Sequence, residues 1–449
     1  MSGTLPAPTR IILLRHGESD FNLQGLIQGR SDTAKLTERG EQMARQAGRA
    51  LQGLALDAVY VSPLGRAQAT AAGILEVLGA TQAVPSPEIH PDLREIDLPA
   101  WEGLTQKAVR EQFPEAFAQW RYDPEAFTMT VPGEASPRRP VMDLFTQAHR
   151  FWESVLARHP GQTVLVVGHA TINRVLLVTA LGMPPSAYFR LQQSNCGLTV
   201  LHVAPGRPAQ LESLNLTAHL DQPFPSVRKE SLGPRLLLVR HGETDWNRIG
   251  RFQGIQDIPL NTTGQAQAGR AAQFLQSMHF DFAVSSPLQR SWATAEAILQ
   301  RHPHLMLKPV PDLQEISHGL WEGHSHAEVE AAFPGMLATW NTSPEQVQMP
   351  EGENLAQVWE RAGQAWDALV SAHPGQTGLV VAHDAINKAI LCRALGLGPA
   401  AFWRIKQGNG SVTVVDYPEG AGRPAVIQSL NITTHLSSGI LDQTAAGAL

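Results

Sequence analysis

The apolar and polar positions follow a pattern that runs twice along the chain. Four apolar residues, Ile11 to Leu14, lead into Arg15-His16-Gly17-Glu18, and Leu236 to Val239 lead into Arg240-His241-Gly242-Glu243. Short apolar runs bounded by turn formers read as buried strands, and Ala58 to Val61 and Val164 to Val167 are two more. Between them, Thr37 to Leu54, Ala67 to Leu78 and Ile172 to Leu181 carry apolar residues at helical spacing. That alternation predicts an α/β fold, a mainly parallel sheet with helices on both faces. Leu198 to Val203 reads as a later strand, at an edge of the sheet.

The match between the halves extends well beyond the two histidine stretches. Ser62-Pro63-Leu64-Gly65-Arg66 meets Ser286-Pro287-Leu288-Gln289-Arg290, and Leu93-Arg94-Glu95-Ile96 meets Leu313-Gln314-Glu315-Ile316. Trp101-Glu102-Gly103 meets Trp321-Glu322-Gly323, Val166 to His169 meets Val380 to His383, and Gln193-Ser194-Asn195 meets Gln407-Gly408-Asn409. A repeat of this size is a tandem duplication of whole domains and not a solenoid. The polar, proline-containing stretch 220–234 reads as the linker between units at about 8–219 and 235–436, with 437–449 as a loose tail.

Composition narrows the function classes. The chain has 449 residues, 43% of them hydrophobic, enough for two independent cores. A formal charge of -6 gives no global basic field, so neither nucleic acid nor a membrane surface is an expected partner. Two cysteines, Cys196 and Cys392, form no disulfide framework and are expected as buried fillers in a reducing compartment. The first ten residues lack the apolar core of a secretory signal and no apolar run is long enough to span a bilayer, so a cytoplasmic location is expected.

Five residues in each half point to phosphate chemistry. An imidazole beside a guanidinium at a strand end, Arg15-His16 and Arg240-His241, joins a nucleophile for phosphorus to a bidentate oxygen ligand. Gly17 reads as permitting tight backbone curvature there. Ser62 and Ser286 read as helix N-caps followed by proline, which places Arg66 and Arg290 in a helical first turn, a setting suited to an anion. Glu95 and Glu315 lie in partly apolar loops, where a carboxyl can have a raised pKa and donate a proton to a leaving alkoxide. His169 and His383 end apolar strands and are placed to donate to a phosphoryl oxygen. His318, His324 and His326 occur in the second half alone and have no metal-ligand spacing; they read as solvated. No metal site and no nucleotide phosphate loop is recognisable, so no cofactor is expected.

With these elements in this order, both halves resemble the histidine phosphatase superfamily, in its phosphoglycerate mutase-like branch. The resemblance implies two tandem α/β/α sandwiches. It implies nucleophiles at His16 and His241, and a phosphate pocket of Arg15, Arg66 and His169 in one unit and Arg240, Arg290 and His383 in the other. It implies proton donors at Glu95 and Glu315 and phosphate-contacting asparagines at Asn22 and Asn247. The two-unit arrangement is similar to a subgroup described as metal-independent phosphoserine phosphatases or 2-carboxyarabinitol 1-phosphate phosphatases. It implies a small phosphorylated metabolite as partner, and self-association is open. A mutase, or one unit kept as a silent regulatory module, are the alternatives. Pro99 departs from the pattern where the second unit has Gly319.

The segment expected to cover each site differs in charge. The first carries Lys107, Arg110, Arg121, Arg138 and Arg139, whereas Gly323 to Trp359 carries Glu328, Glu330, Glu345, Glu351 and Glu353 and no lysine or arginine. This contrast predicts that the first unit handles the more acidic substrate.

Overall fold

The computed structural model describes residues 7–131, 133–204, 208–226, 231–437 and 439–445. The chain divides into two compact units, Met1–Pro225 and Ser226–Leu449. The signal-free reading of the N-terminus rests partly on residues 1–6, and the linker reading partly on 227–230, both outside the described residues.

In the first unit, β1 (Thr9–Arg15), β2 (Ala58–Val61), β3 (Pro87–Ile89), β4 (Thr163–Gly168), β5 (Leu198–Val203) and β6 (Gln210–Leu216) stand in the order β3-β2-β4-β1-β5-β6. Neighbours from β3 to β1 are parallel, while β5 runs antiparallel to both β1 and β6. Strands buried on both faces need unbroken apolar sequence, and Ile11 to Leu14 and Val164 to Val167 are fully buried. β5 therefore lies inside this sheet and not at an edge as its sequence suggested. Its run is buried from Leu198 to Leu201, and Gln210–Leu216 returns to cover the side that the prediction left open.

Helix 38–50 starts at Thr37, whose hydroxyl accepts the Gly40 N–H, and it packs on helix 65–79. Helix 140–158 buries Val141, Leu144, Phe145, Ala148, Phe151, Trp152 and Val155, the i, i+3, i+4 stripe of a core-facing helix, and packs on helix 170–180. The helices cover both faces of the sheet, as expected.

The second unit repeats the plan. Its strands β7 (Arg235–Arg240), β8 (Phe282–Ser285), β9 (Leu307–Pro309), β10 (Thr377–Ala382), β11 (Val412–Asp416) and β12 (Val426–Ile432) run in the order β12-β11-β7-β10-β8-β9. Cys196 and Cys392 are free and fully buried.

The tail is not loose over its described part, residues 437 and 439–445. Asp442 pairs with Lys406 at 3.3 Å, and the Thr444 hydroxyl accepts the Asn409 N–H at 3.2 Å. Ile440 is buried, so an apolar anchor and two polar ties hold the segment to its own unit. Residues 438 and 446–449 lie outside the described set.

Candidate active site

Strand register brings the two histidines of each unit together. Arg15 stands opposite Gly168 in the β1/β4 pairing, so His16 and His169 each follow the last paired residue of neighbouring parallel strands. The His16 N–H continues the ladder to Gly168 O at 3.0 Å, and the ring centroids of His16 and His169 are 5.1 Å apart. Arg240 opposite Ala382 repeats this in the second unit, where His241 and His383 are also 5.1 Å apart. Both pairs sit at the carboxyl edge of a parallel sheet.

Hydrogen bonds fix which ring nitrogens are available. Nδ1 of His16 lies 2.7 Å from its neighbour's carbonyl, Gly17 O, and Nδ1 of His241 lies 2.7 Å from Gly242 O. A carbonyl only accepts, so the proton sits on Nδ1 and Nε2 keeps its lone pair. Burial, then Arg15 and Arg66, hold His16 well below the usual histidine pKa; burial, then Arg290 and Arg240, do the same to His241. A neutral imidazole with an outward lone pair is a nucleophile.

The arginines are anchored through their terminal nitrogens. Arg66 donates to Ser31 O at 2.8 Å and Gly29 O at 2.9 Å, and Arg290 donates to Gln256 O and Gly254 O, both at 2.7 Å. Arg15 donates to Gln193 O at 2.9 Å and Arg240 to Gln407 O at 2.6 Å. Nε of Arg15 and Arg66 and Nδ1 of His169 are buried and meet no acceptor; Arg240, Arg290 and His383 leave the same three atoms unmatched. Buried donors without a protein acceptor fit the oxygens of a tetrahedral anion.

The remaining predicted residues join this cluster. Glu95 Oε2 accepts the Thr171 N–H at 3.0 Å and Oε1 the Ile172 N–H at 3.1 Å, at the start of helix 170–180 just after His169. Glu315 accepts the Ala385 N–H in the same way, and burial, then Asp384, raise its pKa, as expected for an apolar loop. Asn22 Oδ1 accepts from Ser19 and from Asn195 Nδ2 at 3.0 Å, and Asn247 Oδ1 accepts from Asn409 Nδ2 at 3.2 Å. These contacts turn the amide nitrogen edge of each asparagine away from its protein donors.

Several readings change. Ser62 and Ser286 are not N-caps: the helices begin at Gly65 and Gln289 after Leu64 and Leu288, with no side-chain cap. Their hydroxyls instead meet His169 Nε2 at 2.7 Å and His383 Nε2 at 2.8 Å. Gly17 does not have a positive φ; what it needs is space, since a Cβ there would lie 2.4 Å from Gly40 O. His318 is fully buried among Phe252, Trp321 and Trp340, because its apolar loop folds inward, while His324 and His326 are exposed. Gly319 has φ 53 and a Cβ would meet Pro350 O at 2.0 Å, a conformation closed to the proline that stands at 99 in the first unit. Among the described residues no group of three or more His, Cys, Asp or Glu could hold a metal ion.

Much of the charge contrast between the covering segments is spent on neighbours. Arg138 binds Glu134 and Asp97, Lys107 pairs with Glu111, Glu328 with Arg251 and Glu353 with Arg361. Arg121 lies 4.7 Å over the Phe189 ring, which Arg174 approaches at 5.8 Å. Asn195, Asn409 and Arg174 received no role from the sequence. For the asparagines, recurrence in both halves was the available signal.

An α/β unit whose sheet edge presents paired neutral histidines, two buried arginines and a carboxyl is built for phosphoryl groups. The family description "Histidine phosphatase superfamily (branch 1)" matches residues 11–217 and 236–431. This chain belongs to the histidine phosphatase superfamily and is a phosphoric monoester hydrolase. A 2-carboxy-D-arabinitol-1-phosphatase of Triticum aestivum is 32% identical over 450 residues, covering 95% of this chain and 86% of the relative. Phosphoserine phosphatase 1 of Hydrogenobacter thermophilus is 37% identical over 202 residues, 45% of this chain and 94% of the relative. A phosphoserine phosphatase structure from Entamoeba histolytica, in complex with 3-phosphoglyceric acid, is 29% identical with a TM-score of 0.40, covering 45% of this chain and 100% of that one. No helix among the described residues is long and apolar enough to cross a membrane.

Proposed function

We propose that each unit hydrolyses small phosphomonoesters through a phosphohistidine intermediate, without a metal, and that phosphoserine is the foremost substrate. The observation that carries this reading is the identical trio of buried, unmatched donors beside a neutral histidine in both units. In the first step Nε2 of His16 or His241 forms a bond to phosphorus as the ester P–O bond breaks, and Glu95 or Glu315 gives a proton to the departing oxygen. In the second, water attacks phosphorus, the glutamate takes its proton, the N–P bond breaks and phosphate leaves. Two arginines neutralise charge on the transferring group and the second histidine donates a hydrogen bond to it, the part a metal plays elsewhere.

Phosphoserine is supported by the Hydrogenobacter relative and by Arg174, whose guanidinium adds positive charge beside Arg15. The second reading, 2-carboxy-D-arabinitol 1-phosphate, is supported by the Triticum relative, which aligns with 95% of the chain. Both substrates join a phosphoester to a carboxylate. The test is turnover of both, with phosphohistidine trapped on each unit in the His16→Ala and His241→Ala variants. We expect one labelled unit per single variant and no phosphate release from the double variant. Isomerisation of 3-phosphoglycerate without phosphate release would make the protein a mutase, and label confined to one unit would make the other a silent module.

A further inference from the structure

The two pockets share their paired histidines, two arginines, glutamate and asparagines but differ in charge at the first and fifth positions after the second histidine. In the first unit these are Ala170 and Arg174, and in the second Asp384 and Lys388. We infer that this pair sets the charge of the substrate each unit accepts: Ala170 with Arg174 favours a phosphoester carrying an additional carboxylate, and Asp384 with Lys388 favours one without it. The inference deepens the phosphatase reading and rests on it.

Both positions border the phosphate site. Arg15 and Arg174 grip one loop from two sides: Arg15 donates to Gln193 O at 2.9 Å, and Arg174 donates to Leu191 O at 3.0 Å and to Gln192 Oε1 at 3.2 Å. Two like charges brought to successive residues repel, and after burial itself Arg174 is the largest influence lowering the pKa of Arg15. A second anionic group next to the phosphate relieves that repulsion.

In the second unit the same place carries its own counter-charge. Asp384 Oδ2 lies 3.1 Å from Lys388 Nζ and 3.7 Å from Arg240 Nη1, with both side chains of the Asp–Lys pair about 5–6% exposed. Lys388 is further held over the Phe402 and Trp403 rings at 4.8 and 4.6 Å. Each pocket sets three cations, Arg15, Arg66 and Arg174 or Arg240, Arg290 and Lys388, against a glutamate and a matched pair of outer carboxylates, Asp32 and Glu102 or Asp257 and Glu322, but the second adds Asp384. The second is therefore one unit less positive in net charge, in a buried site where charges are weakly screened. Asp384 also leaves Oδ1 buried and unmatched, an acceptor hostile to a carboxylate and suited to a hydroxyl or ammonium donor.

Glycerol 3-phosphate and 3-phosphoglycerate are matched probes, differing in a hydroxymethyl group against a carboxylate. The ratio of their kcat/KM values is measured with the first unit alone (His241→Ala) and the second alone (His16→Ala). We expect the first unit to favour 3-phosphoglycerate and the second glycerol 3-phosphate. Exchanging the pair, Ala170→Asp with Arg174→Lys and Asp384→Ala with Lys388→Arg, should move each ratio toward the other unit's by roughly tenfold or more. Asp384→Asn, which keeps size and removes charge, should move the second unit's ratio in the same direction even if the double exchange folds poorly. Ratios that stay within about twofold across these variants, with both probes still hydrolysed, overturn the inference and leave the phosphatase reading standing. Hydrolysis of neither probe by unexchanged units that still hydrolyse phosphoserine overturns the inference alone; hydrolysis of none of the three overturns the phosphatase reading with it.

Discussion

Ser62 Oγ lies 2.7 Å from His169 Nε2 and accepts the Leu64 N–H at 3.3 Å. The Ser62 hydroxyl meets no other acceptor among the described residues, so it donates its proton to Nε2, which places the histidine's own proton on Nδ1, the atom left buried and unmatched for an anion. Removing the hydroxyl frees the tautomer. Ser62→Ala is expected to lower kcat of the first unit by roughly tenfold with a smaller change in KM, measured in the His241→Ala protein. Ser286→Ala should cost less, because Ser291 Oγ also stands 3.2 Å from His383 Nε2. Equal losses in the two units would contradict this account.

A proton donor matters in proportion to the basicity of the oxygen it serves. Glu95→Gln and Glu315→Gln are expected to slow alkyl phosphoesters by about 10²–10⁴-fold and an activated aryl phosphoester much less. The comparison is of kcat for phosphoserine and 4-nitrophenyl phosphate in each single-unit protein. Equal slowing of the two leaving groups would remove the glutamates from the role.

Stability should fall on mild acidification. Burial, followed by neighbouring arginines, depresses the pKa of His16, His169, His241 and His383, and burial alone takes His318 down to about 3. The unfolded chain takes up protons near the ordinary histidine pKa of about 6.5 while the native state does not. Stability contributed by these neutral histidines is present above that pH and is lost as pH falls through it toward the depressed folded values. Urea midpoints are expected to drop between pH 7 and pH 5. His318→Phe should flatten that drop, since both ring nitrogens of His318 are unmatched and its neighbours are aromatic. An unchanged slope in that variant would show that His318 is not buried neutral.

The sequence carried what repeats and what is local. β2 and β5 span the predicted residues, and each pair of histidines meets because apolar strands of similar length stop at the same sheet edge. Ser62 was misread because its chemistry depends on a residue that only folding brings near. His318 was misread because a lone polar side chain in an aromatic-rich loop gives no local sign of facing inward. The tail defeated prediction for a related reason: a short polar segment is held by Lys406 and Asn409, and those partners cannot be read from its own composition. Charges of the covering segments suggested a field that pairing partly cancels, Lys107 with Glu111 in its own segment and Glu328 and Glu353 with Arg251 and Arg361 from outside theirs.

The histidine loop depends on a close approach that glycine alone allows. A Cβ on Gly242 would stand 2.4 Å from Gly264 O, in the first turn of helix 262–275, and the same contact recurs at 2.4 Å between Gly17 and Gly40. The Gly242 N–H is also tied to Thr294 Oγ1 at 3.1 Å on the neighbouring helix 289–299, so the loop cannot move aside without losing that bond. Gly242→Ala is therefore expected to destabilise its unit by about 1–3 kcal/mol through overpacking. It should also reduce kcat more than KM, because the displaced residue adjoins His241, the proposed nucleophile, whose small misplacement would be costly. Gly269→Ala is the internal control, lying in the same helix with nothing within 4 Å of the added methyl. Its effect should be a gain of roughly 0.5–1 kcal/mol from the lower entropy of the unfolded chain, with kcat unchanged. Urea unfolding and single-unit kinetics on both variants decide the matter; a Gly242→Ala protein as stable and as fast as its parent would mean that helix 262–275 does not hold the loop.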